Sequence, residues 1–346
     1  MDSRIRQQYY GLDVAKLIAA VFVIASHTHP LARLGESLFY NVYAFFQAAA
    51  VPFFALSSGY LLSRKLQWAG DSKEDIQILK KTLFNMIRLY LIWNLIHLPI
   101  AIQEPVPDGK PVYLIIARYV INFFFVGEQY LSWQFWYLLS YIYGTVLLLL
   151  LRKWNGKAWL LGVAAFALFW LSFWMYRFVA EADAYTGLAH ILSLVLGEVF
   201  VNGRLIGGVS YILAGAFLGR LSRTPGLIPC SVLLMTGFFL NLWDVLRLGT
   251  FLRYLLAPAC AVFLFLMCLR WKGTQPKALC LACRSTSTVF YFTHMFWFYV
   301  GYVLLDPFPS FTYWGAPSFF WCLLCSGITA VLVIKFPDSK LVKWLF

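Results

Sequence analysis

The 346-residue chain is 61% hydrophobic and 19% aromatic, with only 12% charged residues and a mean hydropathy of +0.72. Soluble domains have ~45–50% apolar and ~25% charged residues, so a water-soluble enzyme, a disordered chain and a disulfide scaffold are all excluded. The net charge of +13 is carried without any Lys/Arg run longer than two, which argues against a nucleic-acid partner; Lys and Arg instead collect in cytoplasmic loops of membrane proteins.

A helix needs ~20 apolar residues to cross a bilayer, and ten segments of the chain meet that need: 11–31, 38–62, 82–103, 132–151, 158–178, 205–221, 227–246, 250–270, 284–305 and 314–336. The expected fold is all-α, a polytopic transmembrane bundle of about ten spans in a single domain over 1–346. The long continuous apolar runs are unlike the alternating segments of a transmembrane barrel. Placing the N-terminus inside puts 21 of the 28 Lys and Arg on the cytoplasmic side, which predicts both termini there. Two shorter apolar stretches, 112–126 and 188–201, are expected to be interfacial or re-entrant segments packed against protein, because irregular backbone facing lipid leaves its amides unsatisfied.

The first span reads YYGLDVAKLIAAVFVIASHTHPL. At about 100° and 1.5 Å per residue, Lys16 and His27 fall on one face, ~16 Å apart, and Asp13 joins the same stripe. Two readings of the stripe stand here: interfacial anchors with a His ending the helix before Pro30, or a polar line with a function. In the second span Pro52 is expected to kink the helix, and Ser57, Ser58 and Gly59 offer a small polar surface suited to close helix packing.

The inner loop 63–81 has a turn signal at Gly70–Asp71. Ser72 followed by Asp75 resembles a capping box, which predicts a short amphipathic helix at the membrane surface. The third span contributes Arg88, Asn94 and His97, the ninth His294 near its middle. Prolines 105, 107 and 111 break the outer segment that follows the third span. Arg118, Glu128, Arg204, Asp244, Arg247 and Asp306 fall on the outer side. Ionisable groups within spans cost ~2.5–3.5 kcal/mol or more at mid-bilayer and therefore face protein or water. Cys280-x-x-Cys283, Cys322-x-x-Cys325 and His27-x-His29 lack the further ligands of a metal site, so no metal is expected. No phosphate-binding glycine loop or nucleophile elbow is present.

GLDVAKLIAAVFVIASH, VPFFALSSGYLL, KKTLFNMIRLYLIWNLIHLPI, WQFWYLLSYIYG, NGRLIGGVSYILAGAFLG and STSTVFYFTHMF, in this order and spacing, resemble the integral-membrane acyltransferase-3 family over nearly the whole chain. The family carries a basic residue and then, after ten residues, a His in its first span; these positions are Lys16 and His27. Lys16 replaces the Arg of many members, Gln134 stands where many have His, and an Arg-x-Arg element is reduced to Arg88 with Lys80–Lys81 upstream.

The resemblance implies a multi-pass enzyme of a bacterial cell membrane. It would move an acyl group, acetyl above all, from cytoplasmic acyl-CoA to a hydroxyl of an envelope glycan, lipid or peptide. On this reading His27 is the general base, with Glu128 or Asp244 orienting its ring. Lys16, Arg88, Ser57 and Ser58 are candidates for holding the acyl-CoA donor, and His294, Arg204 and Trp136 for the acceptor. Membrane lipid is the surrounding partner, and a homo-oligomer stays open. The chain is also similar to the membrane half of vancomycin-resistance serine racemases, which offers a second reading: transport of a small substrate such as serine, with no racemase segment expected in these 346 residues.

Overall fold

The computed structural model describes residues 9–35, 37–68, 72–103, 112–152, 157–200, 204–247, 252–271, 276–305 and 314–346. The Gly70–Asp71 turn, Asp306 and the three prolines 105, 107 and 111 lie outside them. Thirteen α-helices account for nearly all the described residues, which contain no strand. The chain is a polytopic helical bundle.

Among the described residues, eight helices are long and apolar enough to cross a membrane: α1 (Tyr10–Thr28), α2 (Leu38–Ser63), α3 (Lys73–Ala101), α6 (Ala158–Ala180), α9 (Leu227–Arg247), α10 (Arg253–Arg270), α11 (Lys277–Leu305) and α12 (Ala316–Lys335). The other two expected spans are α5 (Phe135–Leu151) and α8 (Arg204–Arg220), of 17 residues each, or ~26 Å at 1.5 Å per residue. The two shorter stretches are also helical, as α4 (Val112–Ile121) continued by a π-helical turn (Asn122–Val126), and as α7 (Gly187–Phe200). A last short helix, α13 (Lys340–Leu345), follows α12.

The separate amphipathic helix expected before the third span does not form. Ser72 caps a helix as anticipated, its Oγ accepting from the Asp75 N–H at 3.2 Å. That helix then runs without a break into the span, giving α3 its 29 residues. Nothing between Lys73 and Arg88 stops a helix: the segment has neither Gly nor Pro. Asp75 is buried because its carboxylate also accepts the Gln67 and Trp68 N–H groups, at 2.8 and 2.9 Å. Pro52 lies inside an uninterrupted α2.

The chain divides into two compact units. The first comprises residues 1–54, 223–294 and 305–338. In it α1 packs on α10 and α12, and α9 packs on α10. The Gly315 N–H donates to the Thr28 carbonyl at 2.7 Å, tying the start of α12 to the end of α1. Gly11 lets α1 approach α10 so closely that a Cβ there would sit 2.4 Å from the Cys268 carbonyl oxygen. Phe45 of α2 is fully buried against Phe238 of α9, ring centroids 5.5 Å apart.

The second unit comprises residues 55–222, 295–304 and 339–346. Here α8 packs on α5 and α6, and α3 on α5. Leu62, Leu79, Leu148, Leu161, Leu213 and Ala216 are among the residues of its core. The irregular backbone of the π-helical turn is satisfied by protein, as a segment in lipid requires. Tyr90 and Tyr143 donate their hydroxyls to the Phe123 and Phe124 carbonyls, each at 2.6 Å.

The end of α2 crosses α8 through glycine on both sides. A Cβ on Gly59 would lie 1.9 Å from the Ile212 carbonyl oxygen, and one on Gly215 2.1 Å from that of Leu56. Both obstacles are backbone, so the helices themselves must part. Gly215→Ala gains ~1 kcal/mol of helix propensity but incurs overpacking of ~1–3 kcal/mol or more. The expected result is a net loss of stability, seen as a lowered unfolding temperature of the purified protein, whereas Gly327→Ala, with open space around it, leaves that temperature unchanged or raised.

Candidate functional site

The first unit gathers part of the first-span stripe against α11. Asp13, in the first turn of α1, is 5% exposed. It accepts two hydrogen bonds from Arg284, Nε to Oδ1 at 2.9 Å and Nη2 to Oδ2 at 2.8 Å, in the bidentate form that planar guanidinium favours. Asp13 is therefore more than an interfacial anchor. Further along α1, in its last turn, the His27 ring lies against that of His294, centroids 5.3 Å apart and planes inclined by 30°.

These two contacts fix the relation of α1 and α11. From Asp13 to His27 α1 rises ~21 Å, and from Arg284 to His294 α11 rises ~15 Å, at 1.5 Å per residue; an extended arginine side chain spans the difference. The two helices therefore run parallel. Parallel spans have an odd number of spans between them, as the seven between the first and ninth positions of the expected ten-span chain require. Lys16 is half-buried on the same helix, between Asp13 and His27.

His294 is 1% exposed. Its Nδ1 is 2.8 Å from the Phe290 carbonyl oxygen, so Nδ1 carries the proton and Nε2 keeps its lone pair. The partner is thus its own helix one turn back, not another helix. Nε2 is buried without a hydrogen-bond partner among the described residues. An imidazole anchored through one nitrogen, with the lone pair of the other buried, is placed to accept a hydrogen bond.

Asp244 is fully buried and occupied at the start of α10, where one carboxylate oxygen accepts the Leu252 N–H at 2.7 Å. An anion there also complements the positive end of the α10 dipole.

The other expected site residues belong to the second unit. Glu128, Arg204 and Trp136 come together in it. Arg204 pairs with Glu128, and its guanidinium carbon stands 5.7 Å from the Trp136 ring centroid, a cation–π distance. The Glu128 side chain is 13% exposed; burial pushes its carboxyl up, and Arg204 partly offsets the shift. Ser57 is fully buried, and Ser58 shares a 2.7 Å hydrogen bond with the Tyr137 hydroxyl. Arg88 is half-buried, its Nε without a partner among the described residues.

Two arrangements are not visible in the sequence. In the second unit His97 Nδ1 lies 2.8 Å from the hydroxyl of Ser132, both residues buried. Ser132 sits on a turn closed by a Gln129–Ser132 bridge, with Leu131 at a φ of 50°. In the first unit Arg253 Nη2 donates to Asn41 Oδ1 at 2.7 Å, across 212 positions. The signal for both is a polar residue inside an apolar run, which marks one partner but not the other.

A protein-family model described as an acyltransferase domain matches residues 9–336. Among proteins of similar sequence are an amino-acid racemase of Enterococcus faecalis, 26% identical over 341 residues, covering 94% of this chain and 46% of that protein. A serine/alanine racemase of Enterococcus gallinarum is 25% identical over 277 residues, covering 75% of this chain and 37% of that protein. The chain thus spans less than half the length of either relative. No solved structure matches it.

Proposed function

The chain belongs to the acyltransferase-3 family, and on that premise we propose that it moves an acyl group, most simply acetyl, from cytoplasmic acyl-CoA to a hydroxyl of a cell-envelope glycan, lipid or peptide. At the coarser level it is a membrane acyltransferase by family and by its apolar helices. The relatives' organism supports a bacterial plasma membrane as its location.

The observation that carries the reading is the contact of His27 with His294, on the same two helices that the Asp13–Arg284 pair joins ~15–21 Å away. In the proposed reaction His27 takes the proton of the acceptor hydroxyl. The oxygen attacks the thioester carbonyl, the C–S bond breaks, and the imidazolium returns its proton to the departing CoA sulfur. A positioned base of this kind contributes ~10²–10⁴-fold. His294 braces the His27 ring and offers its Nε2 as a hydrogen-bond acceptor beside it. Lys16 supplies a point charge for the phosphates of CoA, a role in which Lys needs no bidentate geometry.

Acyl-CoA binding tests the donor half of this reading. Acetyl-CoA raises the unfolding temperature of the purified full-length protein, since a ligand that binds only the folded state stabilises it, and Lys16→Ala removes most of the rise. No rise in the native protein, together with serine flux into proteoliposomes in the absence of acyl-CoA, overturns it in favour of transport.

A further inference from the structure

The first unit holds a second polar cluster whose hydrogen bonding is incomplete. Asn41 lies in the first turn of α2, Asn241 and Asp244 near the end of α9, and Arg253 at the start of α10. Asn241 and Asp244, three residues apart, are ~60° apart on one face of α9, and both are 0% exposed. Part of the cluster is satisfied internally. Arg253 Nη2 donates to Asn41 Oδ1 at 2.7 Å, Asn41 Nδ2 donates to the Ser37 carbonyl at 3.1 Å, and the Leu252 N–H donates to Asp244 at 2.7 Å.

Four buried atoms are left over. Asn241 Nδ2 and Oδ1, Asp244 Oδ1 and Arg253 Nε have no hydrogen-bond partner among the described residues. A buried polar group left unsatisfied costs ~1–3 kcal/mol, and intramembrane ionisable groups are rare without a function. About one turn deeper the packing is aromatic, with Phe45 against Phe238 and Phe46 against Phe238 at 5.5 and 5.9 Å, so these rings offer the four atoms no hydrogen-bonding groups.

The inventory of the four atoms defines what completes them. Two are acceptors, Asn241 Oδ1 and Asp244 Oδ1; two are donors, Asn241 Nδ2 and Arg253 Nε. Asp244 and Arg253 carry opposite charges within electrostatic reach of one another, so the cluster favours no net charge. Two hydroxyls supply two donors and accept at least two hydrogen bonds. We propose that Asn241, Asp244 and Arg253, braced by Asn41, bind an uncharged polyol through a pair of neighbouring hydroxyls, and that this polyol is the acceptor.

The position suits that role. The α1 helix ends one residue past His27, and α2 begins at Leu38 on the same side. Phe22, five residues before His27, packs on Tyr43 and Phe46 of α2 at 6.0 and 6.3 Å. The cluster and His27 therefore occupy the same end of the first unit. The acceptor assignment rests on the acyl-transfer reading; the binding site itself does not.

The test uses purified full-length protein without acyl-CoA. Thermal unfolding is followed against D-glucose, N-acetyl-D-glucosamine and myo-inositol, with L-serine as a zwitterionic control. Sugars also stabilise proteins by exclusion from their surface, a non-saturating effect that every variant shares. At least one of the three polyols is expected to raise the unfolding temperature saturably in the native protein. Asn241→Leu, of similar volume and with no polar atoms to satisfy, is expected to fold at least as stably and to lose the saturable part; Asp244→Asn is expected to weaken it. His27→Ala is expected to keep it, so failure of acyl transfer and failure of this site are separable. Absence of a saturable rise for all three polyols, its persistence in Asn241→Leu, or a saturable rise with L-serine alone overturns the proposal.

Discussion

Replacing His27 with alanine lowers acyl transfer by about 10²–10⁴-fold and leaves the unfolding temperature close to that of the native protein. The first half follows from the role of the imidazole as the only base in the proposed step. The second follows from its place in the structure: His27 is half-buried at the last turn of α1, and Ala there keeps the helix propensity high. His294 provides the comparison. His294→Phe keeps an aromatic ring packed on His27 but removes Nε2. If His294 only braces the first ring, this variant retains most of the activity; if Nε2 takes part in moving the proton, it falls with His27→Ala. Transfer from radiolabelled acetyl-CoA measures both. Full activity in His27→Ala would remove the catalytic assignment.

The periodicity that marks His27 also shows how far the sequence could be read. Asp13, Lys16 and His27 fall on one helical face because α1 is a single unbroken helix, and a stripe along one helix depends on nothing but local geometry. What the stripe faces depends on packing. Arg284 lies 271 positions beyond Asp13, and its place in the chain resembles an ordinary inner-side basic residue. The same holds for Asn241, one amide in an apolar run, which gains its meaning only beside Asp244 and Arg253. Helix ends were legible where capping chemistry is local, as at Ser72. The expected break between the amphipathic segment and the third span was wrong because polarity, not a helix breaker, suggested it. Gly59 was legible as a packing residue, but its partner Gly215, on α8, became apparent only with the crossing itself.

The Asp13–Arg284 pair leads to an asymmetric expectation. The Asp13 side chain is 7% exposed and that of Arg284 52% exposed. Removing Asp13 leaves a cation that can turn to solvent or snorkel to the interface, which is the situation of a weak surface pair, worth ~0–1 kcal/mol. Removing Arg284 leaves a carboxylate held in the interior with two acceptors unfilled. Breaking a buried pair in that way costs ~3–5 kcal/mol, and the half-exposed guanidinium puts this case at the lower end. Arg284→Ala is therefore expected to lower the unfolding temperature far more than Asp13→Ala. The double variant, with no charge left to bury, should unfold above Arg284→Ala alone. Because the pair also ties α1 to α11, Arg284→Ala should reduce acyl transfer through misplacement of His27 against His294, and Asp13→Ala/Arg284→Ala should recover the stability without fully recovering the rate. Equal destabilisation by the two single variants, or a double variant that simply sums them, would mean that the pair contributes by contact alone and that the buried carboxylate is not the source of the cost.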